Sequence, residues 1–306
     1  MMLNLSRFWQ CAVVLLPLLA GCAHGSSRDA SPLTSLQRLE HAPSQDPAAL
    51  RDVDVLSLGP DARRFIDDQV GGIRDTYEKL RALRRAVFDK EGLDFHYDNE
   101  LTLTADETFS RRAGNCLALA NFFVAAARHL GLDAEYQEVH RRGRGADQAG
   151  NGDGLNVIER HINVSGAITW RARQARYVLD YIAVPGEDFD KAHIISDRRA
   201  LAQYYNNLGI RRLAGGEIEV ALQYLKKAVL TDPGVDFIWS NLGVAYARRG
   251  DAAAAALAYR RALNLNREQS SALRNLATLR ARMQTAPEVY RHGASKLTRP
   301  SRKGSG

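Results

Sequence analysis

Of the three cysteines in this 306-residue chain, Cys11 and Cys22 lie near the N-terminus, while Cys116 stands alone at the head of an apolar stretch, Asn115 to Leu130 (NCLALANFFVAAARHL). A cysteine attacks carbon as its thiolate, and it needs a base or ion-pair partner beside it and a third group to orient that base. Apolar side chains recur in this stretch at helical spacing, and Gly131 follows where a helix would close, so the pattern predicts a helix with Cys116 in its first turn. The positive end of the helix dipole favours an anion there by about 0.3–1 kcal/mol. That is insufficient without an imidazolium.

Eight histidines could supply one. His24 and His41 fall in an N-terminal stretch rich in Ser, Pro and Asp, His292 in a basic tail, and His129 at the far end of the cysteine's own helix. His96 and His193 sit in segments without a clear period. His140 and His161 remain, and His161 is preferred because it lies inside a strand pattern, Leu155 to Val164 (LNVIERHINV), with Asn163 on the same face. A further strand pattern, Arg176 to Val184 (RYVLDYIAV), carries Asp180 between Leu179 and Tyr181. A carboxylate in an apolar run is costly unless paired, and an imidazole N–H would satisfy it while fixing the ring's tautomer. Cys116, His161 and Asp180 are therefore the candidate nucleophile, base and orienting group, and the chemistry they could do is nucleophilic attack by a His-activated thiolate. The backbone N–H of Cys116 is the natural oxyanion donor; a second donor is not assignable.

These residues need elements to hold them. From Asp61 onward Phe65, Ile66, Val70, Ile73, Tyr77, Leu80, Leu83 and Val87 recur at helical spacing, with a break predicted at Gly71-Gly72. After the Cys116 helix the period shifts toward two, giving strands over 134–140, 155–164 and 176–184. Helices followed by antiparallel strands make an α+β domain. The glycine-rich stretch Arg141 to Gly154 reads as a lid or, more commonly, a tolerated surface insertion, and it matches no phosphate-cradling motif. From Leu201 the chain repeats: Asn207-Leu208-Gly209, Asn241-Leu242-Gly243 and Asn275-Leu276-Ala277 are each 34 residues apart, and Gly216 with Gly250, Ala221 with Ala255 and Ala228 with Ala262 keep that period.

Gly114-Asn115-Cys116 opening a helix, then His161 on one strand and Asp180 on the next, resembles the transglutaminase-like superfamily over roughly residues 60 to 190. The stretch Asp94 to Gly131, with its Thr104 to Arg112 lead-in, resembles the bacterial branch often found beside tetratricopeptide repeats. The resemblance implies a papain-like α+β domain with Cys116 as nucleophile, His161 as base and Asp180 as orienter. Leu117 follows the cysteine where the animal crosslinking enzymes have tryptophan, so protein crosslinking is not specifically implied. The family holds peptidases, amidases and members without activity. The 34-residue repeat resembles the tetratricopeptide (TPR) repeat: Pro233 matches the repeat-end proline that Arg267 replaces in the next copy, and Tyr205 and Trp239 take the aromatic position of the first helix.

Arg7, the short apolar run Cys11 to Leu19 and the sequence Leu19-Ala20-Gly21-Cys22 resemble a bacterial lipoprotein signal, which implies cleavage before Cys22 and acylation of that residue. Ala23 lacks the aspartate linked to inner-membrane retention, which favours the periplasmic face of the outer membrane. The mature chain would keep one thiol, Cys116, and no intramolecular disulfide. The expected organisation is a signal peptide over 1–21, a flexible tether over 22–58, a transglutaminase-like domain over 59–198, an all-α TPR array over 199–285 with two full helix pairs and a capping helix, and a disordered basic tail over 286–306.

A formal charge of +7 spread along the chain argues weakly about partners, and no basic run interleaved with aromatics or zinc-finger spacing points to nucleic acid. No metal or cofactor is predicted, since no two ligand-type residues fall at convincing spacing with a third. The expected function is a membrane-anchored envelope cysteine hydrolase, its repeats recruiting a peptide or protein. The alternatives are a catalytically silent binding scaffold and an acyltransferase using the same nucleophile.

Overall fold

The computed structural model describes residues 51–139, 148–149, 153–171, 173–181 and 192–285. The expected signal peptide, Cys22, nearly all of the tether, His140, most of the glycine-rich stretch and the basic tail lie outside them. The described residues divide into two compact units, one drawn from those within 52–139 and 160–204 and the other from those within 148–159 and 205–285. Among the described residues no helix is long and apolar enough to cross a membrane.

The first unit begins with α1 (Pro60–Ile66), which opens on a proline at its first position and runs into a π turn over Asp67–Gly71. The helix α2 (Thr76–Phe88) restarts under an Asp75 cap whose carboxylate accepts from the Glu78 N–H, so the chain breaks at the glycine pair as the sequence predicts. Next come β1 (His96–Tyr97), α3 (Ala105–Arg111), β2 (Ala113–Gly114), α4 (Cys116–His129) and β3 (Glu135–Val139). Two short strands, β4 (Gln148–Ala149) and β5 (Asn156–Val157), pair antiparallel and belong to the second unit. The first unit resumes with β6 (His161–Trp170), β7 (Arg173–Leu179) and β8 (His193–Ile195).

The strand predicted over 155–164 is thus two elements. Its first half pairs with β4, Ile158 to Arg160 are in no strand, and β6 starts at His161. The third predicted strand starts earlier than its pattern and ends at Leu179, leaving Asp180 just past the strand end. The sheet order is β7-β6-β3-β8, antiparallel throughout, with Val139 opposite His161, Gln137 opposite Asn163 and Val164 opposite Leu179.

Helix α4 packs against β3 and β6 and supplies the core of this unit. Every residue from Cys116 to Ala127 is buried, which removes Leu117, Phe122, Phe123 and Val124 from water at roughly 1.5–3 kcal/mol for each large apolar side chain. Phe122 meets Phe95 at a ring separation of 5.0 Å and Phe109 at 6.0 Å, while Phe88 meets Phe123 at 6.3 Å and Tyr181 at 5.6 Å. One polar residue interrupts the helix's buried surface: Asn121 donates to the Leu103 carbonyl at 2.9 Å and accepts from the Tyr136 hydroxyl at 2.7 Å. That pair ties α4 to β3 and to the segment before α3.

The chain passes into the second unit along α5 (Asp197–Ala214), followed by α6 (Ile218–Thr231), α7 (Asp236–Arg249), α8 (Ala252–Leu265) and α9 (Ser270–Thr285). This region is helical hairpins, and the 34-residue period falls on them: Asn207, Asn241 and Asn275 sit on α5, α7 and α9. The repeated glycines are packing residues. A Cβ at Gly243 would stand 2.5 Å from the Tyr259 ring, and one at Gly209 would stand 2.7 Å from Leu225. Gly216 and Gly250 end helices in the left-handed conformation, with φ of 80° and 89°.

Candidate active site

The position of Cys116 is fixed by the residues on both sides of it. Gly114 lies in β2, paired in parallel with β1, and a Cβ there would approach that of Ala118 to 2.5 Å, so only glycine lets this strand run so close to the helix it precedes. Asn115 is the helix cap. Its side-chain oxygen accepts from the Ala118 N–H at 3.0 Å, and its amide group donates to the Thr102 hydroxyl at 2.8 Å. The backbone N–H of Asn115 donates to the Leu101 carbonyl at 2.8 Å. The preceding helix α3 is opened by a reciprocal capping box between Thr104 and Glu107. Cys116 follows as the first residue of a 14-residue helix, 7% exposed, with its sulfur 3.9 Å from the carbonyl oxygen of Arg160.

His161 opens β6 next to that carbonyl, and its ring is almost wholly buried. Its Nε2 pairs with Asp180 Oδ1 at 3.2 Å. Burial by itself disfavours the charged imidazolium, but the hydrogen bond to Asp180 and the electrostatic influence of the nearby Cys116 and Asp180 outweigh it and push the His161 pKa up to about 10. With Nε2 committed to Asp180, Nδ1 is the nitrogen left for the sulfur. Asp180 is set in place by its neighbours: Leu179 ends β7 with its side chain buried, and Tyr181 is buried against Phe88. The carboxylate between them is held toward the imidazole while keeping partial access to solvent.

The structure brings together all three residues singled out by the sequence and sorts the other described histidines away from them. His129 pairs with Asp67 at 2.8 Å, His193 faces Glu138 at 3.7 Å, and His96 bonds the Asp94 carbonyl. Among the described residues no group of three or more His, Cys, Asp or Glu is gathered as a cation would require.

The shell that supports these residues leaves little trace in the sequence. Thr102 and the carbonyls of Leu101, Leu103 and Arg160 carry no pattern that marks them, although Asn115 at the head of an apolar run is a recognisable cap signal. Asn163 was noticed only for its face. It is fully buried, two residues along β6 from His161, and neither its oxygen nor its nitrogen has a hydrogen-bond partner among the described residues. Chemically, the arrangement presents a thiol at a helix start, an imidazole able to hold or release a proton beside it, and a carboxylate that orients that imidazole.

No curated protein matches the chain. Residues 63–195 match the family model described as the transglutaminase-like superfamily, a span containing Cys116, His161 and Asp180. This stretch is a transglutaminase-like domain, compatible with a cysteine hydrolase or with an acyltransferase.

Proposed function

We propose that the chain is a cysteine hydrolase of the cell envelope, of peptidase or amidase type, working through Cys116, His161 and Asp180. The observation that carries the reading is the buried His161, hydrogen-bonded to Asp180 and opening β6 directly after Arg160, whose carbonyl oxygen lies 3.9 Å from the sulfur of Cys116, the free cysteine among the described residues, at a helix start. In the first half-reaction the Cys116 sulfur bonds to the amide carbon and the carbonyl π pair moves to oxygen, facing the Cys116 N–H. Collapse breaks the C–N bond, and the amine leaves with the proton held on His161, giving a thioester. In the second, His161 takes a proton from water as its oxygen attacks the thioester carbon; the C–S bond breaks and the acid leaves. Asp180 stays ionised, keeps the ring oriented and stabilises its charged form.

Transfer of the acyl group to an amine instead of water uses the same atoms up to the thioester. Leu117 after the cysteine gives no specific support to crosslinking. In the same reading the N-terminal Cys22 carries a lipid anchor, which favours the periplasmic face of the outer membrane, and the helices from 199 to 285 form a TPR array that serves a peptide or protein partner. The 34-residue period and the glycine-mediated helix contacts support that assignment.

The test is acylation by a panel of p-nitroanilide peptides with and without a primary amine. The reading expects chromophore release that the Cys116→Ala variant loses, with the free acid as product. Amine-bearing product would move the assignment to acyl transfer, and no release from wild type across the panel would favour the binding scaffold.

A further inference from the structure

The repeated asparagines of the helical unit have a use that close packing does not explain. Asn275 accepts from the Asn156 N–H at 2.8 Å and donates to the Asn156 carbonyl at 2.9 Å. Asn241, one period earlier, treats Ile158 in the same way, accepting from its N–H and donating to its carbonyl, each at 2.8 Å. Two equivalent positions 34 residues apart therefore clasp both backbone groups of residues two apart in an extended segment. Alternate residues of an extended chain turn the same backbone edge to one side, so this ladder reads main chain, not side-chain identity. Asn206 supports it, accepting from the Asn241 amide at 2.8 Å. Asn206, Asn241 and Asn275 are all fully buried, a placement tolerable only with such bonds made.

Side chains give the segment direction and grip. Leu155, Val157 and Ile158 are buried, and Asp153 at the other end pairs with Arg248 at 2.8 Å, a pair that draws its carboxyl below the usual range although burial opposes this. Arg282 donates to the Asp153 carbonyl. Residues 155–158 thus meet the helices as an extended peptide meets a receptor, with backbone bonds in a ladder and apolar anchors, and Asp153, in the bend before them, adds an ion pair that fixes polarity.

We propose that the helical unit is a receptor for extended peptide backbone whose ligand is this chain's own segment 153–158, held as a clasp in cis. Belonging to the same chain gives that segment an effective concentration on the order of mM for short connections, against which a free peptide must compete. This one face of the array is then occupied from within, so an outside partner must displace the clasp or dock on another face. The inference goes beyond the hydrolase reading and holds whether or not Cys116 is catalytic.

Amide exchange on the purified chain tests it. In wild type the Asn156 and Ile158 amides are protected; in Asn241→Ala/Asn275→Ala they exchange at least about tenfold faster while α8 stays protected. Equal exchange at Ile158 in both proteins, with α8 intact, overturns the clasp. Should the double variant lose α8 protection, a second variant carries the test: residues 153–158 replaced by Gly and Ser, titrated with a fluorescein-labelled peptide of residues 153–159. Binding to this variant and not to wild type is expected. Binding to neither, or to both equally, overturns the proposal, the latter by revealing a surface open to outside peptides.

Discussion

Two clusters of buried polar side chains stand out, one at the start of α4 and one along the first helices of the hairpins, and they differ in what their atoms can do. Cys116, His161 and Asp180 are all ionisable side chains, and the charged form of His161 is favoured by its surroundings. Asn206, Asn241 and Asn275 are as deeply buried, yet an amide neither gains nor loses a proton near neutral pH. The first cluster is suited to moving protons, the second to holding a chain. Burial of polar groups alone therefore does not single out a candidate catalytic centre; burial together with ionisable chemistry does.

The contrast breaks most sharply at the cysteine. Cys116→Ala abolishes thioester formation outright, and His161→Ala lowers acylation by about 10²–10⁴-fold, the range for removing a general acid–base group, as single-turnover kinetics would read. A His161→Ala protein that turns over like wild type would make the first cluster as chemically inert as the second. Asp180→Asn sharpens the comparison through pH. Below about 6.5 His161 is charged in folded and unfolded chains alike, and the stability from its raised pKa is fully present. That contribution falls as pH rises through about 10, where the folded-state imidazolium deprotonates. Removing the carboxylate moves this alkaline limb to lower pH, by about 1–3 units for loss of an adjacent opposite charge, followed by the His161 ring signals in an NMR titration. An unmoved limb would show that Asp180 does not govern the ring.

Smaller effects are stability changes. Asn241→Ala leaves the Ile158 N–H and carbonyl without these bonds and should lower unfolding stability by roughly 1–3 kcal/mol in urea, with no change in Cys116 alkylation. Gly243→Ala drives a Cβ into the Tyr259 ring and should cost about 1–3 kcal/mol by overpacking. Thr104→Ala removes the capping box of α3, worth about 1 kcal/mol, and should lower Tm by a few degrees.

Much of the first cluster was legible because its signals are local. Asn115 before an apolar run and Gly131 after it bound the helix, and observed α4 fits both limits; Gly131 takes the left-handed conformation at φ 73°. Asp180 stood out as a carboxylate among apolar residues. The 34-residue period likewise located the hairpins. What escaped was non-local. Leu155 to Val164 alternates well enough to read as one strand, and nothing within it reveals that Asn241 and Asn275, more than 80 residues onward, take the backbone bonds of its first half. The repeated Asn-Leu-Gly was read for its small residue, while the asparagine beside it had no visible partner until the chain was folded. Choosing His161 over His140 rested on strand pattern alone, and His140 lies outside the described residues.

The most direct test of the central claim is the rate at which limiting iodoacetamide alkylates Cys116 at neutral pH in wild type, His161→Ala and Asp180→Asn, with circular dichroism confirming that each is folded. The account predicts rapid labelling in wild type and a rate at least about tenfold lower in His161→Ala, with Asp180→Asn between them. Equal rates in all three folded proteins would contradict it, leaving Cys116 an ordinary buried thiol.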